Sequence, residues 1–405
     1  MPIFSIEKNL DRRGTSGYEY QRTGGRSMHR QRGMAAAVLM MMMSSNFLVC
    51  KHLPSSLSLS AGLVFVSGCT CEAAFIVSIK CGMCLLLILF GALILGLILL
   101  LGLKLFCQLT LGMCRSTTSM KGKTVIISGA NSGIGKETAR ELAKRGAKVI
   151  LACRNITEAD KVKNEIIETT GNEDVLVKKL DLSSLKSIRE FAADINRTVT
   201  KLDVLIHNAG TAHMFGSKVT EDGLELTMGT NHFGPFLLTH LLIDLLKRSA
   251  PSRIVIVGSE LYRLASLNLN NINPVNGFPA YLYYVSKYAN TVFSLELARK
   301  LEGSGVTVNC LHPGMIDSGI WRNVPFPLNL PLKLIVKGFF KTPVQGAQTT
   351  LYLATSEEVE GVTGKYFLDC REHGLSSGVQ DPALGKKLWE LSEKLVKLEP
   401  TDPHI

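Results

Sequence analysis

The stretch ISGANSGIGKETA, residues 127–139, places three glycines where a run of β-branched residues gives way to apolar residues at helical spacing. A strand that turns into a helix through Gly129, Gly133 and Gly135 brings bare backbone N–H groups and the positive end of a helix to one point. A phosphate group binds well at such a point. The alternative is that these glycines only permit tight packing of the turn. The stretch predicts a strand–turn–helix unit, and other parts of the chain must decide whether it binds an anion.

The rest of the chain repeats this alternation of short apolar strands and longer helical segments. Strand-like runs lie at residues 148–153, 175–177, 204–206, 253–257 and 306–311. The helical segments between them include residues 184–199, 237–246 and 291–301. This alternation predicts an α/β fold with a doubly wound parallel sheet, the Rossmann fold, in one domain over residues 120–400. In such a sheet, ligands bind beyond the carboxyl ends of the strands.

A long apolar run precedes the predicted domain. Residues 81–103 read CGMCLLLILFGALILGLILLLGL, 23 residues without a charge, which is long enough to cross a hydrocarbon core as a helix. A buried helix of the soluble fold is the alternative, but this run has no charged face. We therefore predict a transmembrane anchor over residues 81–106. Residues 1–80 show no fold signal, and we predict that they form a poorly structured extension.

The distribution of charge bears on the orientation of the anchor and on partners. Residues 1–120 contain 11 Lys and Arg against 4 Asp and Glu, whereas the remaining residues contain 34 and 30. A chain that starts at Met83 would carry its basic residues after the anchor, which places the large domain in the cytosol by the positive-inside rule. With residues 1–80 present the rule is ambiguous. The basic excess has no aromatic–basic platform beside it, so it does not indicate nucleic acid.

Cysteines are scarce in the predicted domain. Only Cys153, Cys310 and Cys370 belong to it, which is typical of a reducing compartment. The N-terminal part has two close pairs that imitate a zinc site, namely Cys69 with Cys71 and Cys81 with Cys84. Their neighbours are apolar and no pair of histidines follows, so we predict no metal. Lipidation of these cysteines is the other interpretation.

The residues after the second and third strands bear on the choice of dinucleotide. An acidic group after the second strand would bind the ribose hydroxyls of NAD, whereas this chain has Arg154, whose guanidinium suits a 2′-phosphate. Lys136 would add positive charge, unless both are simply solvated basic residues. Asp181 would bind the adenine amino group, cap the next helix, or do both. These residues favour NADP.

Two side chains with acid–base chemistry stand at helical spacing. Tyr283 precedes Lys287 by four residues, which stacks the two side chains on one helix face. The ammonium and an oxidised nicotinamide would both lower the pKa of the tyrosine toward a useful range. An exposed helix face has the same spacing. Ser259 ends a strand where a hydroxyl can hold a carbonyl oxygen, and Asn231 adds an amide.

Further motifs occur with these residues in a definite order. They are GANSGIGKETARELAKRGAKVILACR, KLDLSSLKSIREFA, Asn208-Ala209-Gly210, NHFGPFLLTHLL, YVSKYANTVF and His312-Pro313-Gly314. The order resembles the short-chain dehydrogenase/reductase family, and the longer stretches are similar to its microsomal retinol dehydrogenase branch, whose members prefer NADP. The resemblance covers residues 122 to about 398. It implies an enzyme of the endoplasmic reticulum membrane with its catalytic domain in the cytosol.

The resemblance also implies roles for individual residues. Hydride would pass between the nicotinamide and the carbon of an alcohol or aldehyde, with Tyr283 giving or taking the proton and Ser259 holding the oxygen. Lys287 would bind the nicotinamide ribose, and Asn231 would position a water in a proton relay. The implied cofactor-binding residues are Gly129, Asn131, Ser132, Gly133, Ile134, Gly135, Arg154, Asp181, Leu182, Asn208, Ala209, Gly210, Tyr283, Lys287, Pro313 and Gly314.

Three positions depart from the pattern of the family. His207 replaces an asparagine before Asn-Ala-Gly, Gly258 replaces a frequent serine before the active serine, and Pro235 stands where a bulkier polar residue is common. None of them removes a member of the catalytic tetrad. The first two departures could alter rates.

The segment after Gly314 bears on the substrate. It is rich in large apolar side chains, namely Trp321, Phe326, Leu328, Leu330, Leu332, Ile335, Phe339 and Phe340. Such side chains suit the wall of a pocket for a lipophilic aldehyde or alcohol, with Lys333, Lys337 and Lys341 on one face toward lipid headgroups. The segment would otherwise pack on its own domain. We predict a membrane-anchored, NADP-dependent oxidoreductase for retinal-like aldehydes and their alcohols; a steroid or lipid-aldehyde reductase and a cofactor-binding membrane scaffold are the alternatives, and oligomeric state is not indicated.

Overall fold

An eight-stranded sheet with helices on both faces forms the centre of this protein. The computed structural model describes residues 69–213, 216, 218–316, 333, 336–338 and 340–405. The strands are β1 (Thr124–Ser128), β2 (Lys148–Cys153), β3 (Val175–Lys179), β4 (Val204–His207), β5 (Ser252–Val257), β6 (Val306–His312), β7 (Lys365–Leu368) and β8 (Arg371–Glu372). The longer helices are α1 (Cys69–Leu109), α2 (Gly133–Lys144), α3 (Ile156–Thr170), α4 (Leu185–Thr198), α5 (Gly234–Arg248), α6 (Pro279–Lys300), α7 (Pro343–Thr355) and α8 (Pro382–Leu395).

The strand order places a switch point at the centre of the sheet. The order is β3-β2-β1-β4-β5-β6-β7-β8, and all neighbours are parallel except β7 and β8. Val125 of β1 lies between Val149 of β2 and Val204 of β4. The chain builds outward to one side of β1 and then to the other, so a crevice opens beyond the carboxyl ends of β1 and β4. The predicted doubly wound parallel sheet is confirmed.

Alternate residues of the strands pack into two separate hydrophobic cores. Ile126 and Ile150 are buried in the cluster that includes α4, α5, α6 and α8. Their neighbours Val125, Ile127 and Val149 are buried in the cluster that includes α2, α3 and α7. Strands covered on both faces are apolar at nearly every position, which explains their continuous β-branched runs.

Capping residues determine where the helices that frame the crevice begin and end. The Asn155 side chain accepts a hydrogen bond from the Glu158 N–H at the start of α3, and Gly171 ends that helix with a φ of 70°. Thr342 and Gln345 form a reciprocal capping box at the start of α7. These caps satisfy N–H and C=O groups that would otherwise have no partner within the helix.

Helix α1 extends beyond the predicted anchor at both ends. It starts at Cys69, and residues 82–106 within it are long and apolar enough to cross a membrane, by length and composition. None of that window is buried against the other described residues. The predicted extension over residues 1–80 lies outside the described residues up to residue 68. The boundary at residue 120 stays a prediction, and Gly112 and Cys114 already hydrogen-bond to the sheet domain.

Candidate active site

The glycine turn after β1 leaves room only for bare backbone. Gly129 has a φ of 67° and Gly133 a φ of 55°, which favour glycine. A Cβ atom on Gly129 would lie 2.9 Å from the Ala209 Cα, and one on Gly135 would lie 2.5 Å from the Asn208 Nδ2. Ser132 is the N-cap of α2 without a side-chain capping bond. The first-turn N–H groups of α2 therefore face a cradle that suits the pyrophosphate of a dinucleotide.

The end of β4 holds this turn in place. The Asn208 Nδ2 donates to the Ser128 O at 2.9 Å and to the Gly129 O at 3.2 Å. The Ser128 Oγ accepts the N–H groups of Asn208 and Ala209 at 3.0 and 3.1 Å. The Asn208 side chain therefore holds the glycine turn in place. Ser128 is not among the residues predicted from sequence, although a hydroxyl at the last residue before a glycine turn is a signal that points to it.

Arg154 lies at the carboxyl end of β2 with its side chain 73% exposed. Its Nε is 3.9 Å from the Asp181 Oδ2, so the residues that follow β2 and β3 are neighbours. The Asp181 Oδ1 accepts hydrogen bonds from the N–H and hydroxyl of Ser183 at 2.9 and 2.6 Å. Ser184, not Asp181, caps α4, so the capping role considered for Asp181 is wrong.

Lys136 takes a different partner from the one suggested by sequence. Its Nζ donates to the Glu165 Oε2 at 2.6 Å, and Arg140 pairs with the same carboxylate. The charge of Lys136 is therefore partly compensated within the protein. Arg154 has the more exposed cation of the two beside the crevice.

The serine, tyrosine and lysine converge on the other side of the crevice. Helix α6 places the Lys287 Nζ 5.7 Å from the centre of the Tyr283 ring. Ser259 lies two residues after the end of β5, and its hydroxyl is close enough to the Tyr283 phenol to lower the pKa of that phenol. A Cβ atom on Gly210 would lie 3.7 Å from the Lys287 Nζ, so the loop after β4 passes beside these groups. The structure thus brings together the predicted Ser259, Tyr283 and Lys287.

Burial sets the protonation of the two titratable groups. Burial raises the pKa of Tyr283 to about 12, and the hydrogen bond with Ser259 opposes this shift. Burial lowers the pKa of Lys287 to about 8. The expected lowering of the tyrosine pKa by Lys287 is absent in the protein alone, because burial dominates and the ammonium donates to the Val257 O at 2.7 Å.

Asn231 lies in a π-helical turn, Gly229–Phe233, that leads into α5. Its Oδ1 accepts the Thr211 N–H at 2.8 Å, and its Nδ2 donates to the Thr211 O and the Ser286 Oγ at 2.9 and 3.0 Å. The side chain is therefore used in fixing the loop after β4. Its backbone O accepts from the Asn290 Nδ2 at 2.8 Å. A carbonyl oxygen has two lone pairs, so this atom retains capacity for a water.

The turn after β6 completes the crevice. Gly314 has a φ of 97°, and a Cβ atom there would lie 2.6 Å from the Lys341 Cδ. Lys341 forms an ion pair with Asp369 and does not face outward with Lys333 and Lys337, which are exposed, so the predicted three-lysine face is wrong at Lys341. The apolar residues Trp321, Phe326, Leu328, Leu330, Leu332, Ile335 and Phe339 lie outside the described residues.

The three residues that depart from the family pattern, His207, Pro235 and Gly258, each lie against specific neighbours. The His207 Nε2 lies 2.8 Å from the Thr239 Oγ1, whose hydroxyl donates to the Pro235 O. His207 therefore donates through Nε2, and burial lowers its pKa to about 3, which keeps the ring neutral. A Cβ atom on Gly258 would lie 2.8 Å from the Cys310 Sγ, so a serine would not fit there without a shift.

Comparison with known proteins agrees with this arrangement. The model of the short chain dehydrogenase family matches residues 123–326. Retinol dehydrogenase 14 of Mus musculus is 46% identical over 290 residues, which cover 68% of this chain and 86% of the relative. Retinol dehydrogenase 11 of Homo sapiens is 46% identical over 292 residues, which cover 72% and 91%. The solved NADP complex of RhlG from Pseudomonas aeruginosa has a TM-score of 0.51 and 26% identity, covering 62% of this chain and 95% of that chain.

The matched residues contain the glycine turn and the Ser259, Tyr283 and Lys287 group. The fold of this family binds a nicotinamide dinucleotide at the switch point described above. The chain belongs to the short-chain dehydrogenase/reductase family and is an oxidoreductase that acts on alcohol and carbonyl groups.

Proposed function

We propose that this chain is an NADP(H)-dependent enzyme that interconverts retinal-like lipophilic aldehydes and their alcohols, and that α1 anchors it in a membrane. One observation carries the proposal: Ser259, Tyr283 and Lys287 meet beside a glycine-lined crevice. The names of the retinol dehydrogenase relatives support the retinoid class of substrate.

Tyr283 and Ser259 act on the oxygen of the substrate. A bound nicotinamide dinucleotide supplies the hydride for reduction and accepts it in oxidation. With a pKa of about 12, the Tyr283 phenol is protonated at neutral pH and can donate its proton to a carbonyl oxygen during reduction. The Ser259 hydroxyl donates a hydrogen bond to the same oxygen as negative charge develops on it. Oxidation runs the same proton transfer in reverse through the phenolate, which burial disfavours and which the Lys287 ammonium and an oxidised nicotinamide would favour.

Lys287 and Asn231 support the proton path. The Lys287 Nζ makes one hydrogen bond to the Val257 O, and an ammonium has two further N–H groups for a ribose hydroxyl and a water. The Asn231 backbone O is the protein atom that would hold that water. The Asn231 side chain keeps the loop after β4 in register with α6, through Thr211 and Ser286.

The preference for NADP rests on Arg154. Its exposed guanidinium stands after β2, where the family holds the adenosine ribose, and no carboxylate is closer to it than the Asp181 Oδ2 at 3.9 Å among the ion pairs of the described residues. A 2′-phosphate would make a bidentate pair with such a group.

A direct assay tests the activity. The full chain in phosphatidylcholine vesicles is incubated with NADPH and one of three substrates: retinal, a ketosteroid or a medium-chain aldehyde. The proposal expects the largest kcat/KM for retinal and loss of turnover in Tyr283→Phe. A larger kcat/KM for the ketosteroid or the medium-chain aldehyde would favour the alternative reductase. A cellular phenotype that needs the anchor but survives Tyr283→Phe would favour the scaffold.

A separate experiment on sealed microsomes tests the orientation. We propose that the enzyme resides in the endoplasmic reticulum membrane with its sheet domain in the cytosol. Protease added outside sealed microsomes should then digest the sheet domain. Protection of that domain until detergent is added would reverse the proposed orientation.

A further inference from the structure

The hairpin between β7 and β8 turns through two residues with positive φ, Asp369 at 51° and Cys370 at 58°. Two-residue hairpin loops of this kind prefer Asn-Gly, Asp-Gly or Gly-Gly. Asp369 suits the first position, whereas Cys370 is unusual at the second because its Cβ atom disfavours the left-handed region. An unfavourable conformation of this kind persists when contacts around it hold it in place. Contacts of Asp369 with the rest of the chain therefore stabilise this turn.

One carboxylate oxygen of Asp369 joins two distant segments of the chain. The Asp369 Oδ1 accepts the Gly112 N–H at 3.2 Å and the Lys341 Nζ at 2.5 Å. The ion pair is largely buried, with side chains 17% and 24% exposed. Gly112 lies three residues after the end of α1, and Lys341 lies just before α7. The hairpin turn thus connects the segment that follows the candidate membrane span with the segment that precedes α7.

The contact at Gly112 admits no side chain. A Cβ atom there would lie 1.9 Å from the Asp369 O and 2.1 Å from the Asp369 carbonyl carbon. Two residues further on, the Cys114 N–H donates to the Gln348 Oε1 at 3.1 Å, so the segment continues along α7. Close backbone contact and successive hydrogen bonds show that this segment is docked on the sheet domain.

Lys341 is the last residue of the predicted apolar segment that follows Gly314. The Lys341 N–H donates to the Met315 O at 2.7 Å, and Ile316 and Lys341 form a parallel bridge. In sequence, this bridge flanks residues 317–340, which contain the predicted apolar wall. The Lys341 side chain also passes over Gly314, the last residue of the crevice. A displacement of Lys341 would therefore disturb both the bridge and the crevice.

We propose that Asp369 is a positioning residue that joins the Ile316–Lys341 bridge to Gly112, in the segment that follows the candidate span, so that a lipophilic substrate passes from the bilayer into the crevice. The distance supports this role. The candidate span ends at Phe106, six residues before Gly112, and six residues reach at most about 20 Å. The Asp369 carboxylate therefore lies close to the bilayer surface when α1 is inserted. This inference rests on the proposed function.

A kinetic comparison separates positioning from simple stabilisation. Asp369→Asn removes the charge and Gly112→Ala wedges the contact apart; both are assayed as full chains in phosphatidylcholine vesicles. Matched controls are Glu372→Gln, whose exposed ion pair with Lys365 lies in the same hairpin, and Gly102→Ala, which has no atom near its Cβ position. We expect the KM for bilayer-dissolved retinal to rise about tenfold in both variants, with KM for a short water-soluble aldehyde within twofold of wild type. Equal changes for both substrates, or no change, would overturn the proposal.

A second measurement does not depend on activity. Arg115 is exposed and follows Gly112 by three residues, so trypsin cleaves there when the segment leaves the domain. Cleavage after Arg115, measured by mass spectrometry of the released fragment, should be about tenfold faster in Asp369→Asn and Gly112→Ala than in wild type and both controls. Unchanged cleavage in these variants would show that Asp369 holds nothing in place. If wild type reduces no aldehyde while the cleavage rates differ as expected, the proposed function is wrong, whereas the docking of the Gly112 segment by Asp369 is supported.

Discussion

The phenol of Tyr283 is the group whose removal has the most specific consequence. Tyr283→Phe removes the proton donor and should lower kcat by about 10²–10⁴-fold, because positioned proton transfer contributes about that much. Tyr284→Phe is the matched control, since its ring packs against the Tyr283 ring but Tyr284 does not belong to the Ser259, Tyr283 and Lys287 group. Steady-state rates with NADPH and retinal measure both variants. Equal losses in the two variants would contradict the assignment of the proton donor.

Arg154 should decide the choice of dinucleotide. Arg154→Asp replaces an exposed cation with a carboxylate, which repels a 2′-phosphate and accepts hydrogen bonds from a ribose diol. We expect the Kd for NADPH to rise by about tenfold or more, while the Kd for NADH changes little or falls. Arg197→Asp, which changes an exposed arginine of α4, is the control. Titration by nucleotide fluorescence measures both constants, and an unchanged ratio would remove the role assigned to Arg154.

The reactive side chains could be predicted from sequence because each lies at a position that local geometry determines. Tyr283 and Lys287 share a helix face through their spacing, and Ser259 follows a strand that ends at the crevice. The use of the Asn231 side chain to hold Thr211 and Ser286 could not be predicted. It depends on contacts between residues 20 and 55 positions apart.

The ion-pair partners of Lys136 and Lys341 could not be predicted from sequence either. Lys136 finds Glu165 on another helix, and Lys341 finds Asp369 in a hairpin. Both lysines stand at positions where spacing suggested exposed charge. Which carboxylate lies beside them is decided by how α3 and β7 pack, and no local pattern encodes that packing.

At the scale of elements, the strand–turn–helix unit of β1 and α2 depends on Gly135. In Gly135→Ala the Cβ atom would meet the Asn208 Nδ2 and the Gly129 O, both at 2.5 Å. The turn must then shift, and the N–H groups of α2 lose their alignment with a phosphate. We expect the Kd for NADPH to rise about 100-fold.

Calorimetry and nucleotide titration together check this expectation. Gly374→Ala is the control, since its Cβ would meet nothing within 4 Å. Gly135→Ala should lose affinity for nucleotide by more than a lower Tm explains. Retained affinity at a reduced Tm would mean that Gly135 serves packing alone, which is the alternative that sequence left open.

The elements near the C-terminus show where sequence patterns stop being informative. The strands β1 to β6 each contain a short apolar run, and sequence placed them within two residues at each end. Strands β7 and β8 are four and two residues long, and their turn lacks glycine. Their pairing depends on β6, which lies more than 50 residues earlier, and on contacts of Asp369 with Gly112 and Lys341.

For the molecule as a whole, buried histidines should make stability depend on acid. Burial lowers the pKa of His207 to about 3 and those of His232 and His240 to about 4, whereas an unfolded histidine has a pKa near 6.5. Between these values the unfolded chain binds more protons than the folded one. The free energy of unfolding should therefore fall as pH falls from 6.5 toward 4, by up to about 3 kcal/mol for His232.

Urea unfolding of the full chain in detergent micelles at pH 7.5, 6 and 5 measures this dependence. His232→Gln retains groups that can bond to Asn290 and Ser392 but does not titrate, so its stability should vary less with pH than that of wild type. His404→Gln, which changes an exposed histidine, should keep the wild-type dependence. Identical slopes in all three proteins would place the acid sensitivity elsewhere.

The two edge strands of the sheet, β8 and β3, bear on aggregation. Strand β8 is two residues long, and its Glu372 forms an exposed ion pair with Lys365 of β7. Strand β3, at the opposite border, carries Lys178 and Lys179. Molecules held in one membrane plane would meet often. An unprotected edge strand could then pair with the edge strand of another molecule and start fibril formation. Short length and fixed charge oppose that pairing at both borders, so we expect the proposed membrane-anchored form to tolerate high density without aggregating through its sheet.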